Sequence, residues 1–315
     1  MATYRNDLPQ LRQDLFLTDG GIETTLIYDD GLELPDFASF VLLDDPVGRE
    51  ALVRYFESYV TVAARQRLGV VLETATWRAS ADWAARQGLG IDDVVRANRD
   101  AVALLLDVRA RHETPDTAVV ISGCIGPRGD GYVVGELMSV EEARNYHALQ
   151  ARTFADSGAD LITAITLTYS AEAIGIAEAA RAAGMPVVLS FTVETDGTLP
   201  SGESLREAIE AVDAATDAYP TYYMINCAHP THFVDVLEAG QPWTSRIGGI
   251  RANASKMSHA ELDAAEELDT GDRDELAGLY RDLRESHPHI RVLGGCCGTN
   301  HGHIDAIVTA CAAAV

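Results

Sequence analysis

The chain has 315 residues, 47% of them hydrophobic, which is enough for one large core and within the range of a single barrel domain spanning 1–315. Lys and Arg number 24 against 48 Asp and Glu, a formal charge of −24, so the surface repels phosphate backbones and anionic membranes and disfavours nucleic acid as a partner. No run approaches the roughly 18 apolar residues of a membrane span, and the polar opening at 1–13 has no signal-peptide pattern, so a cytoplasmic protein is expected.

In chain order, residues 16–18 form the first strand-like run, which ends in Asp19-Gly20-Gly21. An acidic residue and two glycines directly after a strand make a tight, ligand-facing turn. Residues 22–43 are irregular and long for a connection, as expected for part of a mouth. Pro46 opens a helix to about residue 68, with Val47, Leu52, Tyr55, Phe56, Tyr59 and Val60 on one apolar face. The second strand, 69–72, leads into Glu73-Thr74-Ala75-Thr76-Trp77, and helical pattern returns at 80–86 and 91–111. The third strand, 118–121, ends in Gly123-Cys124-Ile125-Gly126-Pro127, followed by a glycine-rich loop at 128–136 and a helix at 140–157.

The rhythm then repeats. Strands are predicted at 161–165, 186–191, 222–225, 246–251 and 292–293. Helices are predicted at 171–182, 203–216, 231–238, 274–285 and 304–314, and a long acidic stretch at 252–272 is placed partly over the mouth. The eight strands read as continuous apolar runs, which fits parallel strands buried on both faces. Eight strand–helix units in this length match a (β/α)8 TIM barrel in the α/β class. An open doubly wound sheet would need a Gly-x-Gly-x-x-Gly after the first strand, and Gly20-Gly21 does not complete one.

The five cysteines are Cys124, Cys227, Cys296, Cys297 and Cys311, too few and odd in number for a disulfide framework. Cys227 follows the sixth strand, and the pair Cys296-Cys297 follows the eighth inside a glycine frame. In a closed parallel barrel those strand ends share one mouth, where three thiolates hold a soft ion such as Zn2+ and leave a fourth position open. So electron-rich a site suits keeping a substrate thiol deprotonated and nucleophilic rather than hydrolysis, and attack on an activated methyl group is its natural use. Plain core packing is the competing account of adjacent cysteines; a redox pair lacks its usual Cys-x-x-Cys spacing. His229, His301 and His303 lie near enough in sequence to be alternative ligands or to support the ligands. Cys124 and Cys311 read as packing residues, and Lys256, the one lysine, as a solvated loop residue.

Five segments in this order resemble the homocysteine S-methyltransferase family of zinc-dependent thiol and selenol methyltransferases: 19–21, 74–80, 123–127, Asn226-Cys227 and 294–299. The resemblance spans nearly the whole chain, and its double-cysteine motif is the most specific part. It implies a (β/α)8 barrel with Cys227, Cys296 and Cys297 as zinc ligands, supported by Gly295, Gly298 and Thr299. Asp19, Gly20, Gly21, Thr74, Thr76 and Asn226 would bind substrate. The partners implied are a small thiol acceptor, homocysteine, and a methyl donor, with S-methylmethionine or S-adenosylmethionine favoured; the oligomeric state is left open. The alternatives are the same chemistry on another small thiol and a non-catalytic zinc- or thiol-binding barrel. The chain departs from the family at Ile165, where many relatives carry a Glu for the substrate ammonium. Glu73 and Glu194, both near strand ends, are the candidates to supply that charge.

Overall fold

A computed structural model describes residues 2–312. Eight parallel strands close into one barrel in sequential order: β1 Phe16–Thr18, β2 Gly69–Glu73, β3 Val119–Ile125, β4 Leu161–Leu167, β5 Val187–Phe191, β6 Tyr222–Asn226, β7 Ile247–Ala252 and β8 Val292–Gly295. Closure is made by β1 against β8, with Phe16 opposite Val292 and Leu17 opposite Leu293. The expected (β/α)8 architecture is therefore observed. The final helix, His301–Ala312, starts earlier than the predicted 304, and the predicted end at 314 lies outside the described residues.

The two-residue period of a strand sorts each side chain inward or outward. Phe16, Val71, Val120, Leu161, Val188, Met224 and Val292 form the small core inside the barrel. Their neighbours Leu17, Val70, Val119, Ile162, Val187, Ile225 and Leu293 face the helices in the larger outer core. Two residues beyond the inner apolar layer, the same inward positions carry Thr18, Glu73, Ser122, Thr163, Ser190 and Asn226, all buried. The barrel is thus apolar at its base and polar towards the C-terminal ends of its strands. Most strands also run one to four residues beyond the apolar stretch that predicted them. Glu73, Cys124, Thr166 and Asn226 belong to strands, not to loops.

The helices are set by local signals. Asp45 caps Pro46–Gln66 by accepting from the Gly48 amide at 2.7 Å. Ser139 and Ser204 each form a capping box with the glutamate three residues on, at the starts of Val140–Ser157 and Leu205–Thr216. The predicted helix at 231–238 is instead one turn, Pro230–Phe233, running into a 3-10 turn, Val234–Val236. The stretch after β7 is mostly irregular, holds the short helix His259–Asp263, and walls the cavity described next. No helix among the described residues is long and apolar enough to cross a membrane.

Candidate metal centre and its cavity

β6 and β8 end on the same side of the barrel and deliver Cys227, Cys296 and Cys297 to one point. Their three sulfurs lie within 4.8 Å of one another. Cys227 and Cys296 are joined as a disulfide, Cα atoms 5.3 Å apart, while Cys297 keeps a free thiol. The expectation of three separate thiols is met only in the reduced counterpart of this arrangement. Zinc–sulfur bonds of about 2.3 Å in a tetrahedron place sulfurs about 3.8 Å apart. A two-electron reduction of the Cys227–Cys296 bond would turn these residues, with Cys297, into a three-thiol donor set. Among the described residues, no His, Asp or Glu joins the three sulfurs as a ligand group. His229 instead shares a hydrogen bond with Thr231 Oγ1 at 2.8 Å, His303 reaches the Thr270 carbonyl at 3.1 Å, and His301 is exposed.

The backbone around the cysteines is tightly constrained. Cys227 has φ +53° and Thr166 has φ +63°, left-handed values that non-glycine residues rarely adopt and that tend to persist at functional sites. The Asn226 side chain holds the backbone at Thr166, and Asn226 directly precedes Cys227 in the chain. Its Oδ1 accepts from the Thr166 amide at 2.9 Å and from Ser190 Oγ at 2.6 Å, and its Nδ2 donates to Thr166 Oγ1 at 2.9 Å. A break in the β4–β5 register between Ala164 and Leu167 turns Ile165 and Thr166 onto the cavity wall. Beyond β8, Thr299 Oγ1 donates to the Cys296 carbonyl at 2.7 Å and the Gly298 amide to Thr24 Oγ1 at 3.2 Å. A Cβ on Gly21 would lie 2.5 Å from the Cys296 carbonyl oxygen, so only glycine lets the first loop approach the cysteine loop so closely.

A cavity of about 200 Å³ opens over the sulfurs. Glu23, Trp77, Arg78, Tyr132 and Ile165 are on its wall, with Leu262, Glu267 and Asp269 from the stretch after β7. Tyr132, from the glycine-rich loop after β3, donates its hydroxyl to Cys227 Sγ at 3.4 Å and lies 3.7 Å from Cys297 Sγ. Its ring rests 4.6 Å from that of His259, whose Nε2 is 2.6 Å from the Cys227 carbonyl. Burial pushes the Cys297 thiol up; a bound cation would reverse that.

Several residues predicted to touch substrate do other work here. Thr74 and Thr76 share a hydrogen bond at 2.6 Å; Thr74 Oγ1 accepts from the Cys124 amide and Thr76 Oγ1 donates to the Cys124 carbonyl. They stitch β2 to β3 and are not on the cavity wall. Gly20 uses its carbonyl to accept from Tyr55 at 2.9 Å and Arg251 at 3.1 Å. Asp19 and Glu73 converge on Arg251, at 2.6 Å and 2.5 Å, all three buried. The Glu73 contact is an ion pair between its Oε2 and Arg251 Nη1. Burial pushes the Asp19 carboxyl up to about 7 against the pull of Arg251. Arg251 itself stays protonated: burial works against its charge, and the two carboxylates outweigh it. Glu194, more exposed, sits 3.3 Å from His259 Nδ1. Neither Glu73 nor Glu194 is among the residues that line the cavity, whereas Ile165 is.

The residues that sequence reasoning missed are Glu23, Arg78, Tyr132, Arg251 and His259. Arg251 had a readable signal: it shares the inward parity of Gly249 at the end of a predicted strand. Arg78 also had one, as a lone cation directly after Trp77 in a quoted motif. Tyr132 and His259 stand in irregular stretches with no periodic cue.

A family model described as Homocysteine S-methyltransferase matches residues 16–311. Among curated proteins, homocysteine S-methyltransferase 1 of Arabidopsis thaliana is 23% identical over 313 residues, covering 92% of this chain and 91% of that one. The selenocysteine Se-methyltransferase of Brassica oleracea var. italica is 26% identical over 179 residues, 56% of this chain and 50% of that one. In fold, the chain resembles the crystal structure of the Escherichia coli homocysteine methyltransferase MmuM in its metallated form, with TM-score 0.76 and 23% identity over 95% of this chain and 96% of that one. The oxidized form of the same protein aligns with TM-score 0.75, 23% identity and the same coverage. With a family match that runs from the first strand into the last helix, this chain belongs to the homocysteine S-methyltransferase family.

Proposed function

We propose that the protein is a zinc-dependent methyltransferase that moves a methyl group from a sulfonium or ammonium donor, S-methylmethionine or S-adenosylmethionine in preference, to homocysteine, giving methionine. The observation that carries this reading is the cluster of three cysteine sulfurs lining a cavity in a chain of this family. Cys227, Cys296 and Cys297 would hold zinc. Zinc bound by three thiolates supplies acidification of an incoming thiol, so that its sulfur is anionic at neutral pH.

The rest is positioning by the chain. Asn226 fixes the backbone from which Cys227 projects, and Thr299 and Gly298 fold the loop that carries Cys296 and Cys297. The cavity wall presents Glu23, Asp130, Asp263, Glu267 and Asp269. Together with the −24 net charge they favour a cationic donor over an anionic one. Trp77 offers an aromatic ring to the same cavity. The acceptor sulfur attacks the donor methyl carbon; its lone pair forms the new S–C bond, and the donor's C–S or C–N bond breaks with its electron pair on the leaving heteroatom. No oxidant is needed, and the acceptor's thiol proton goes to solvent.

The test is a matrix assay on reduced, zinc-loaded protein. Homocysteine and other small thiols are crossed with S-methylmethionine, S-adenosylmethionine and betaine, with Cys297→Ala as control. Methionine formed from one donor and lost in Cys297→Ala is the expected result. A zinc-loaded protein that transfers methyl to no thiol from any donor would leave a non-catalytic barrel.

A further inference from the structure

We propose that Arg78 binds the carboxylate of the acceptor thiol and Glu23 its ammonium, so that a zwitterionic amino-acid thiol is read by these two side chains. This rests on the methyl-transfer reading above and names the residues that give it specificity. Asp19 is already engaged by Arg251, together with Glu73, and neither carboxylate lines the cavity. Ile165, which does line it, brings no charge.

Arg78 is 4% exposed; Asp130 and Glu23 are near enough to favour its charge, but no carboxylate among the described residues is within ion-pair distance of it. Its guanidinium lies 3.8 Å from the centre of the Trp77 ring and 3.6 Å from that of Trp83. Of its donors, Nη1 reaches the Gly129 carbonyl at 3.0 Å, and the buried Nε has no partner. A buried cation with unused donors is costly to maintain, and a carboxylate arriving in the plane of its fork relieves that cost with paired, charge-assisted bonds. The two indole rings fix the plane in advance. Burial draws the Arg78 pKa down to about 10, so the group remains a cation at neutral pH.

Glu23 is on the same wall. Ser39 donates to its Oε1 at 2.9 Å, and no cation among the described residues pairs with it. The nearby Asp130 is a poorer candidate, because its Oδ1 already accepts from the Tyr132 and Val133 amides at 2.8 and 3.0 Å. One wall therefore carries the three sulfurs, the Arg78 cation and, in Glu23, a half-buried carboxylate that is unpaired like the more exposed Asp263 and Glu267. Those are the three groups that a thiol, a carboxylate and an ammonium on one small molecule require.

The experiment uses reduced, zinc-loaded wild type with whichever donor the matrix assay selects. Four acceptors are compared: homocysteine, 4-mercaptobutyrate (no ammonium), 3-aminopropane-1-thiol (no carboxylate) and 1-propanethiol (neither). In the wild type each lost group is expected to lower kcat/KM about tenfold to hundredfold, mainly through KM. Arg78→Gln should impose that loss on homocysteine and 4-mercaptobutyrate and leave 3-aminopropane-1-thiol unchanged. Glu23→Gln should do the opposite, affecting only the two acceptors that carry an ammonium. Wild type that turns over 1-propanethiol as well as homocysteine would overturn the inference while leaving methyl transfer standing. Equal losses on all four acceptors in either variant would reduce that residue to a structural role and overturn it too. Turnover of none of the four would overturn both readings. The wild-type series needs no variant to fold.

Discussion

Asn226 ties β4, β5 and β6 together at the point where Cys227 leaves the barrel. It bonds the left-handed backbone at Thr166 and directly precedes the left-handed Cys227, and such conformations persist only where neighbours over-determine them. Asn226→Ala should therefore lower zinc affinity about 10- to 100-fold, as loss of a group supporting metal ligands generally does. Competition against a chromophoric chelator measures it; unchanged affinity would mean the cysteines hold their geometry unaided. Arg251 makes the opposite kind of contribution, to stability. Arg251→Met leaves Asp19 and Glu73 buried without a counter-charge, and breaking a buried pair this way costs about 3–5 kcal/mol. Urea denaturation at neutral pH reads that value. A loss below about 1 kcal/mol would show that Asp19, its carboxyl already pushed up by burial, simply takes a proton instead. The three cysteines were legible in the sequence because a double cysteine in a glycine frame has few ordinary explanations. Glu23 was not, because a single acid in an irregular segment resembles every solvated acid. Asp19 was legible as a site acid, but its partner was not, since 232 residues separate it from Arg251.

Strand positions were legible and strand lengths were not, for one physical reason. An apolar run reports only the lower half of each strand, where Val71, Val120 and Val188 pack inside the barrel. The upper half bonds to its neighbours just as regularly, as the Glu73–Ser122 and Asn226–Arg251 register pairs show, but its inward side chains are polar. That polar layer supports the site, so the same residues that make the barrel functional hide the ends of its strands. Helix starts were clearer where a cap stood at the boundary. Ser139 accepts from the Glu142 amide while Glu142 Oε2 accepts from the Ser139 amide and hydroxyl at 2.8 and 2.7 Å. Ser139→Ala should cost about 1 kcal/mol by denaturant titration. The acid limb gives a second reading. Bonds to the Ser139 amide, then to its hydroxyl, hold the Glu142 carboxyl below its ordinary value of 4.5. A depressed carboxyl contributes stability above the unfolded-state value and loses it as pH falls through the folded-state value. The advantage of wild type over Glu142→Gln in thermal melts should thus be full near pH 6 and shrink below pH 4.5; an advantage that grows with acid would reverse the sign and remove the cap as its cause.

Across the whole molecule, 48 acidic side chains face only 24 Lys and Arg, and the imbalance sets how the fold responds to salt. Two effects oppose each other. Exposed ion pairs such as Arg206–Glu210 and Lys256–Glu275 weaken when salt screens them, but pairs of this kind contribute only about 0–1 kcal/mol each. The buried Arg109–Asp160 and Arg251–Asp19 contacts lie away from mobile ions and change little. Against these stands the mutual repulsion of 24 excess negative charges, which grows when the chain is compact and relaxes when it unfolds. Screening shortens the reach of that repulsion from about 30 Å at 0.01 M to about 8 Å at 0.15 M, less than the width of the barrel. Repulsion is long-ranged and involves every acidic group, whereas the exposed pairs are local and weak, so it should win. The Tm is expected to rise as sodium chloride goes from 0.01 to 0.5 M at pH 7.5, with most of the gain below 0.15 M. Potassium chloride should match it, because screening depends on ionic strength and not on the identity of the ion. A Tm that falls over the same range would mean the surface pairs form a cooperative network that outweighs the net charge. A rise with sulfate but not chloride would assign the effect to exclusion of salt from the surface instead.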